Sequence, residues 1–131
     1  MIVLDTHVLV WWLADPSKLS IAAKKAVQSS VAKNEVVVSA ASILEIATLV
    51  RRRRLMLAIS FDEWLKEVSE LPELQLLSVT PEIAARAGSF GPDVHGDPID
   101  RLIIATAVVS KARLATADSN IRASNIVRTV W

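Results

Sequence analysis

Short apolar segments rich in β-branched residues alternate along this chain with longer segments of helical periodicity. This alternation is typical of a parallel sheet whose strands are joined by crossover helices, so it predicts an α/β fold. The strand candidates are residues 2–4, 36–38, 74–79, 113–116 and 126–130. The helix candidates are residues 6–14, 20–33, 42–54, 61–71, 81–90 and 99–111.

Length and composition predict one globular domain over residues 1–131. Of these residues 52% are apolar and 22% charged, which suffices for one hydrophobic core and is too apolar for a disordered chain. No repeat, linker or low-complexity segment divides the chain. Glycine and proline cluster between residues 91 and 98, which predicts an irregular loop there.

Composition also excludes several classes of site and location. The chain has no cysteine, so it has no disulfide, thiolate metal site or thiol nucleophile, and we expect a reducing, cytoplasmic environment. No apolar run is long enough to span a membrane, and the first residues lack the basic region of a secretory signal. A net charge of +1 indicates no overall preference for anionic partners.

Carboxylates occupy positions where a core-forming residue or a turn would be expected. Asp5 and Asp118 each follow a predicted strand, and the carboxyl ends of parallel strands form the ligand-binding edge of such a sheet. Glu45 lies within a strongly apolar helix. Asp97 and Asp100 lie at the entrance of another. The pattern suggests that these acids converge.

Each acid also has a local structural interpretation. Asp5 can bind backbone amides in a turn, Asp97 can cap a helix and Asp118 can form an Asx turn. Glu45 can complete a capping box with Ser42. As a group, however, the acids would need protons or cations, since two carboxylates about 4 Å apart repel by roughly 4 kcal/mol at an effective dielectric near 20.

A hard divalent cation is the simplest partner for such a cluster. With no cysteine and only two histidines, oxygen ligation favours Mg²⁺ or Mn²⁺ over zinc. One or two such ions can activate water for attack on a phosphodiester. The sequence has no Gly-rich phosphate loop and no Gly-x-Ser-x-Gly nucleophile motif. The acids of this hypothetical site are Asp5, Glu45, Asp100 and Asp118.

Four motifs in this order resemble PIN-domain ribonucleases, most closely the VapC-type toxins of type II toxin–antitoxin systems. They are IVLDTH at 2–7, VSAASILEIA at 38–47, HGDPIDRLIIATA at 95–107 and LATAD at 114–118. The resemblance implies a single three-layer α/β/α domain with a central parallel sheet of four to five strands. It also implies a Mg²⁺-dependent endoribonuclease, with Mn²⁺ as substitute. Its expected partners are RNA, a neutralising antitoxin, and a second copy in a homodimer or toxin–antitoxin hetero-oligomer.

The resemblance also assigns roles by position. The residues that match its catalytic and metal-binding acids are Asp5, Glu45, Asp100 and Asp118. Asp97 is an additional acid of the third motif. We expect it to support the metal ligands without binding the metal itself, because helix capping accounts for its presence. Thr6 and Thr116 match positions that tend to keep a hydroxyl, and each is expected to bind a ligand carboxylate or a water on the metal. Simple helix or turn capping is the alternative for both.

Some positions stay outside the predicted catalytic set. His7 and His95 are left out because a histidine beside a helix start is more often structural. Gly96 and Ile99 depart from the subgroup, which often has a basic and an aromatic residue there. These departures affect the expected contacts with the substrate around the edge of the site, and they leave the predicted metal ligands unchanged.

The arginines at 51–54 form a dense charge run with two interpretations. They can steer phosphate toward the acids, or they can form a solvated helix C-terminus where cations complement the helix dipole. We favour the second, because consecutive helical residues point about 100° apart and at most two could face one RNA strand.

Tryptophan is the main aromatic residue of the chain, with four copies against two phenylalanines and no tyrosine. Trp11, Trp12 and Trp64 lie in predicted helices, and burial in the core or an interface is the default for them. The apolar surface of segments 8–13 and 61–68 is suited to an antitoxin helix or a dimer contact.

Two rival functions remain open from the sequence. One is a catalytically silent PIN-like module that only binds RNA or a protein; intact acids at all four positions disfavour it. The other is a small metabolite phosphatase, which is disfavoured because Asp-Thr-His, and not Asp-x-Asp, follows the first strand.

Overall fold

A five-stranded parallel sheet forms the centre of the molecule. It is seen in a computed structural model that describes residues 1–94 and 96–131. The strands are β1 (Ile2–Leu4), β2 (Val36–Ser39), β3 (Leu74–Leu77), β4 (Arg113–Ala115) and β5 (Thr129–Val130). The α/β prediction is confirmed, and the sheet has the upper of the two predicted strand counts.

Helices cover both faces of the sheet. They are α1 (Thr6–Ala14), α2 (Ile21–Val31), α3 (Ala40–Arg51), α4 (Phe61–Ser69), α5 (Pro81–Ser89), α6 (Pro98–Val109) and α7 (Ser119–Ala123). Successive strand residues point to opposite faces, so Ile2 and Leu4 join a core cluster with α1, α2 and α4. Val3 joins a second cluster with α6 and α7. The predicted three-layer arrangement is therefore confirmed.

The strand order β3-β2-β1-β4-β5 creates a reversal point at the middle of the sheet. From β1 the chain winds outward through β2 to β3, and it then returns to add β4 and β5 on the other side of β1. In open α/β sheets, ligands bind beyond the carboxyl ends of the strands at this reversal point. The topology therefore places the candidate site between the ends of β1 and β4.

The observed elements differ from the predicted ones at their ends. β1 and α1 have the predicted bounds, whereas β5 covers only the last two residues of the predicted segment 126–130. Helix α7 and a 3₁₀ turn at Pro16–Lys18 were not predicted. α3 begins earlier than expected because the Ser39 side chain caps it by accepting a hydrogen bond from the Ala41 N–H at 3.1 Å. Among the described residues, no helix combines the length and apolarity that crossing a bilayer requires.

The arginine run at 51–54 ends helix α3. Arg53 has a φ of 56°, and its N–H donates to the Val50 carbonyl at 3.0 Å while the Arg54 N–H donates to Leu49 at 2.9 Å. This pair of bonds is a Schellman motif with arginine in the left-handed position that glycine usually occupies. All four arginines are exposed, so the prediction of a solvated helix C-terminus is confirmed.

Lys111 occupies the equivalent left-handed position after α6. Its φ is 53°, and the N–H groups of Lys111 and Ala112 donate to Val108 and Ala107 at 3.1 and 2.9 Å. We expect Lys111→Gly to raise the free energy of unfolding by about 1 kcal/mol, because glycine adopts this conformation without steric cost. Urea unfolding measures the change. Lys111→Ala is the matched control, since it removes the same charge but keeps the strain; an equal gain in both variants would contradict the explanation.

Candidate metal centre

The pairing of β1 with β4 brings Asp5 and Thr116 together across the sheet. Leu4 pairs with Ala115, and the Asp5 N–H extends the pairing by donating to the Ala115 carbonyl at 3.0 Å. One residue further, the Thr116 hydroxyl donates to Asp5 Oδ2 at 2.7 Å. Asp5 is only 7% exposed and Thr116 is fully buried. The register of two central strands therefore fixes the orientation of a buried carboxylate.

Thr116 also holds the segment that carries Asp118. Its hydroxyl oxygen accepts a hydrogen bond from the Asp118 N–H at 3.1 Å. Asp118 Oδ1 in turn caps helix α7 by accepting from the N–H groups of Asn120 and Ile121 at 2.8 and 3.2 Å. Capping engages one carboxylate oxygen of Asp118 and leaves Oδ2 available for another partner.

Thr6 joins the start of α1 to helix α3. Its N–H donates to Asp5 Oδ1 at 2.8 Å, so Asp5 caps α1. The Thr6 hydroxyl donates to the Ser42 hydroxyl at 3.1 Å inside the core, whereas the sequence suggested a carboxylate, a water on the metal or simple capping as its partner. Ser42 lies three residues before Glu45 in α3, so the same contact positions the segment that carries Glu45. The capping-box interpretation of Glu45 is wrong, since Ser39 caps this helix.

Asp97 and Arg101 fix the entrance of α6, where Asp100 lies. Asp97 Oδ1 accepts hydrogen bonds from two N–H groups of the first turn, one of them that of Asp100 at 3.3 Å. The Arg101 guanidinium donates to the carbonyls of Ala87 and Phe90 at the end of α5. The interpretation of Asp97 as a helix cap is confirmed.

One cavity of about 310 Å³ collects the predicted acids. Asp5 comes from the end of β1, Asp118 from the end of β4, Glu45 from α3 and Asp100 from α6. The described residues that line it are Asp5, His7, Trp11, Glu45, Asp100, Ala117 and Asp118. Asp97 belongs to the same helix entrance as Asp100 but is not among them. The expected convergence of the four acids is thus seen in the fold.

The donor set of this cavity fits a hard divalent cation. Four carboxylates line it, and no lysine or arginine is found among its described lining residues to neutralise them. Across residues 1–94 and 96–131, no three acidic or histidine side chains are close enough to one another to coordinate a single metal ion. That spacing still suits Mg²⁺, which usually takes one or two protein carboxylates and completes its octahedron with water and phosphate oxygens.

Two lining residues, His7 and Trp11, were not predicted as part of the site. His7 is exposed and was left out of the catalytic set, while Trp11 was assigned to the core or an interface. Both follow from the helix cap: once α1 starts after Asp5, residues 7 and 11 lie one turn apart on one face. That spacing places the two side chains together, but the sequence pattern of α1 does not indicate that their face meets the cavity. His95 lies outside the described residues.

The double role of Thr116 leads to a stability prediction. We expect Thr116→Val to lower the free energy of unfolding by about 1–3 kcal/mol, because it leaves a buried carboxylate and a backbone N–H without their partner. Thr116→Ser should restore most of the loss. The control is Thr106→Val, since Thr106 is equally buried but its hydroxyl only donates to the Leu102 carbonyl within α6. Equal losses for both valine variants in urea unfolding would contradict this role.

Comparison with known proteins identifies the family and supports the fold. Residues 2–125 match the PIN domain family. Ribonuclease VapC22 from Mycobacterium tuberculosis is 39% identical over 132 aligned positions, covering 99% of this chain and 98% of the relative. The crystal structure of FitAcB from Neisseria gonorrhoeae superposes with a TM-score of 0.65 at 25% identity, covering 98% of this chain and 96% of that chain.

VapBC2 from Rickettsia felis, crystallised with a DNA fragment from its promoter, has the same fold. Its TM-score is 0.72 at 14% identity, covering 98% of this chain and 97% of that chain. The match to the family extends over nearly the whole chain and includes all four acid-bearing motifs. The chain therefore belongs to the PIN-domain family and, within it, to the VapC-type ribonucleases.

Proposed function

We propose that this protein is an endoribonuclease that hydrolyses RNA phosphodiester bonds with Mg²⁺, or Mn²⁺ as substitute, and acts as a cytoplasmic toxin neutralised by a cognate antitoxin. PIN-domain ribonucleases generally depend on divalent metal ions. The observation that carries the proposal is the cavity at the reversal point of the sheet, which four carboxylates from separate elements line.

The residues that would hold one or two metal ions are drawn from Asp5, Glu45, Asp100 and Asp118, with at most two of these carboxylates on any one ion. A divalent ion bound there supplies a Lewis acid that activates water and offsets the charge developing on the phosphodiester. Asp5 and Asp118 have their orientations fixed before any ligand arrives, since each caps a helix and both are bonded to Thr116. Thr116 and Thr6 act as positioning residues in this proposal. Asp97 does so by capping the helix of Asp100.

The cavity favours direct hydrolysis over a covalent intermediate. No serine, threonine, cysteine or lysine is found among its described lining residues, and its carboxylates, which can also act as nucleophiles, are the proposed metal ligands. The hydroxyls of Thr6 and Thr116 are already engaged in buried hydrogen bonds. Water activated by the metal is the nucleophile in the proposed reaction.

A separate apolar groove fits the proposed antitoxin. It has a volume of about 430 Å³ and lies between the end of α1, the segment 55–60 and α4. Leu13, Trp64 and Val68 line it, together with Met56, whose side chain is 91% exposed. Such a groove is suited to the apolar face of an amphipathic helix. The related solved structures include two-component FitAB and VapBC assemblies, whose second component is the model for this partner.

Asp5→Asn tests the proposed activity most directly. We expect it to lower RNA cleavage at least about hundredfold, because it removes a ligand charge from the metal site while asparagine still caps α1. Wild type and variant are expressed under a controlled promoter, and growth and total RNA are examined for discrete fragments. Asp62→Asn is the matched control, since Asp62 is an exposed acid in the first turn of α4. Identical fragments and growth arrest from Asp5→Asn would contradict the proposal.

The same assay on purified protein tests the metal. Cleavage should cease in EDTA and return on addition of Mg²⁺ or Mn²⁺. Cleavage that persists in the chelator at the wild-type rate would contradict a metal-dependent mechanism.

The groove gives an independent prediction about the antitoxin. We expect Met56→Asp to weaken inhibition by the antitoxin at least about tenfold, since it places a charge in an apolar contact. Inhibition of RNA cleavage is titrated with the purified cognate antitoxin. Ile21→Asp is the matched control, because Ile21 is an equally exposed apolar residue, 81% accessible, on α2. Equal inhibition of both variants would show that the antitoxin binds elsewhere.

The proposed homodimer is tested separately, by measuring the mass of the free protein with light scattering.

A further inference from the structure

Three aromatic rings form a continuous row that starts inside the acidic cavity. The rings of His7 and Trp11 have centroids 5.9 Å apart and a 50° tilt, and those of Trp11 and Trp131 have centroids 5.7 Å apart and a 48° tilt. Both distances lie in the range of favourable aromatic pairs. His7 and Trp11 line the cavity itself. We call this row the aromatic shelf.

The fold explains why these rings meet at this edge of the molecule. Asp5 caps α1, so His7 lies in the first turn and Trp11 one turn later on the same face. Trp131 directly follows β5, which pairs in parallel with β4, so it emerges at the same edge of the sheet as Asp118. Trp11 is therefore held between two rings and the core, which fixes its plane before a ligand binds.

The exposure of the rings distinguishes the shelf from an ordinary core contact. His7 is exposed, and Trp11 and Trp131 are half-buried although both pack against the core cluster. By contrast, Trp12 lines a different cavity between α1 and α2. The exposed imidazole of His7 and the partly buried indole of Trp11 therefore offer aromatic ring surface immediately next to the four carboxylates, beside the proposed position of the phosphate.

We propose that His7 and Trp11 stack an unpaired base of the RNA adjacent to the scissile phosphate, and that Trp131 is a positioning residue for the indole. This inference rests on the proposed ribonuclease function and adds to it the residues that contact the base beside the scissile phosphate. Stacking on aromatic side chains is sequence-tolerant, since every base has a planar face. In a duplex the bases are already stacked, so unpaired segments are preferred.

The experiment is a double-mutant cycle between protein rings and RNA bases. A short unstructured RNA with a mapped cleavage position is prepared intact and with an abasic nucleotide at each position flanking the scissile phosphate. For the wild type, we expect removal of one flanking base to lower kcat/KM about tenfold or more. Trp11→Leu should lower kcat/KM on the intact RNA by a similar factor and lose sensitivity to that abasic position. The same RNA annealed to its complement should be a poor substrate.

Three further variants separate stacking from structural damage. His7→Ala changes an exposed side chain and should show the same loss of abasic sensitivity, so the test stands even where Trp11→Leu fails to fold. Trp12→Leu, the neighbouring half-buried tryptophan, should retain the wild-type sensitivity. Trp131→Leu should reduce the coupling between Trp11 and the base, and Trp131→Phe should restore it.

The outcomes distinguish this inference from the proposed function. If the effect of the ring variant on kcat/KM and that of the abasic position multiply independently, the aromatic shelf does not contact the base. The proposed ribonuclease function would then still stand. Loss of antitoxin binding in His7→Ala and Trp11→Leu, with the base coupling intact, would also overturn the shelf and identify the rings as a protein interface. Absence of cleavage of any RNA by the wild type would overturn the proposed function and the shelf together.

Discussion

The parallel pairing of β1 with β4 is the constraint on which the candidate site depends. It joins residues 111 positions apart in the sequence, and its register sets Thr116 beside Asp5. A single hydroxyl then serves two partners, donating to the Asp5 carboxylate and accepting from the Asp118 N–H. A shift of one of these strands by one residue would turn the side chains of that strand to the other face and separate Thr116 from Asp5.

Local and functional interpretations of an acid are not exclusive in this fold. Asp5 and Asp118 cap helices and also line the cavity, whereas Asp97 caps a helix without lining it and Glu45 lines the cavity without capping one. A helix N-terminus stabilises a carboxylate through its free N–H groups and its dipole. Capping therefore lowers the free energy of holding these negative charges near one another. It engages only one of the two oxygens of each capping carboxylate.

Sequence alone predicted the elements that carry a strong periodic signal and missed those that do not. The buried β-branched strand β1 was predicted with its correct bounds, and the acids at strand ends followed from it. Helix α7 spans five residues, which is too short for a hydrophobic period to register, and β5 covers only two of the five residues in its predicted segment. His7 and Trp11 were missed because α1 is apolar on every side, so its pattern does not indicate which face meets the cavity.

The unusual apolarity of α1 follows from its position between three different surfaces. Successive residues of a helix point about 100° apart, and here Trp11 lines the acidic cavity, Trp12 lines a cavity against α2, and Leu13 lines the groove beside α4. No face of this part of α1 is left for purely solvated polar residues. The helix is thus the shared wall of the proposed catalytic cavity and the proposed antitoxin groove. Its first turn is anchored through Asp5 and Thr6, so a partner in the groove contacts the same rigid element that holds His7 and Trp11 at the site.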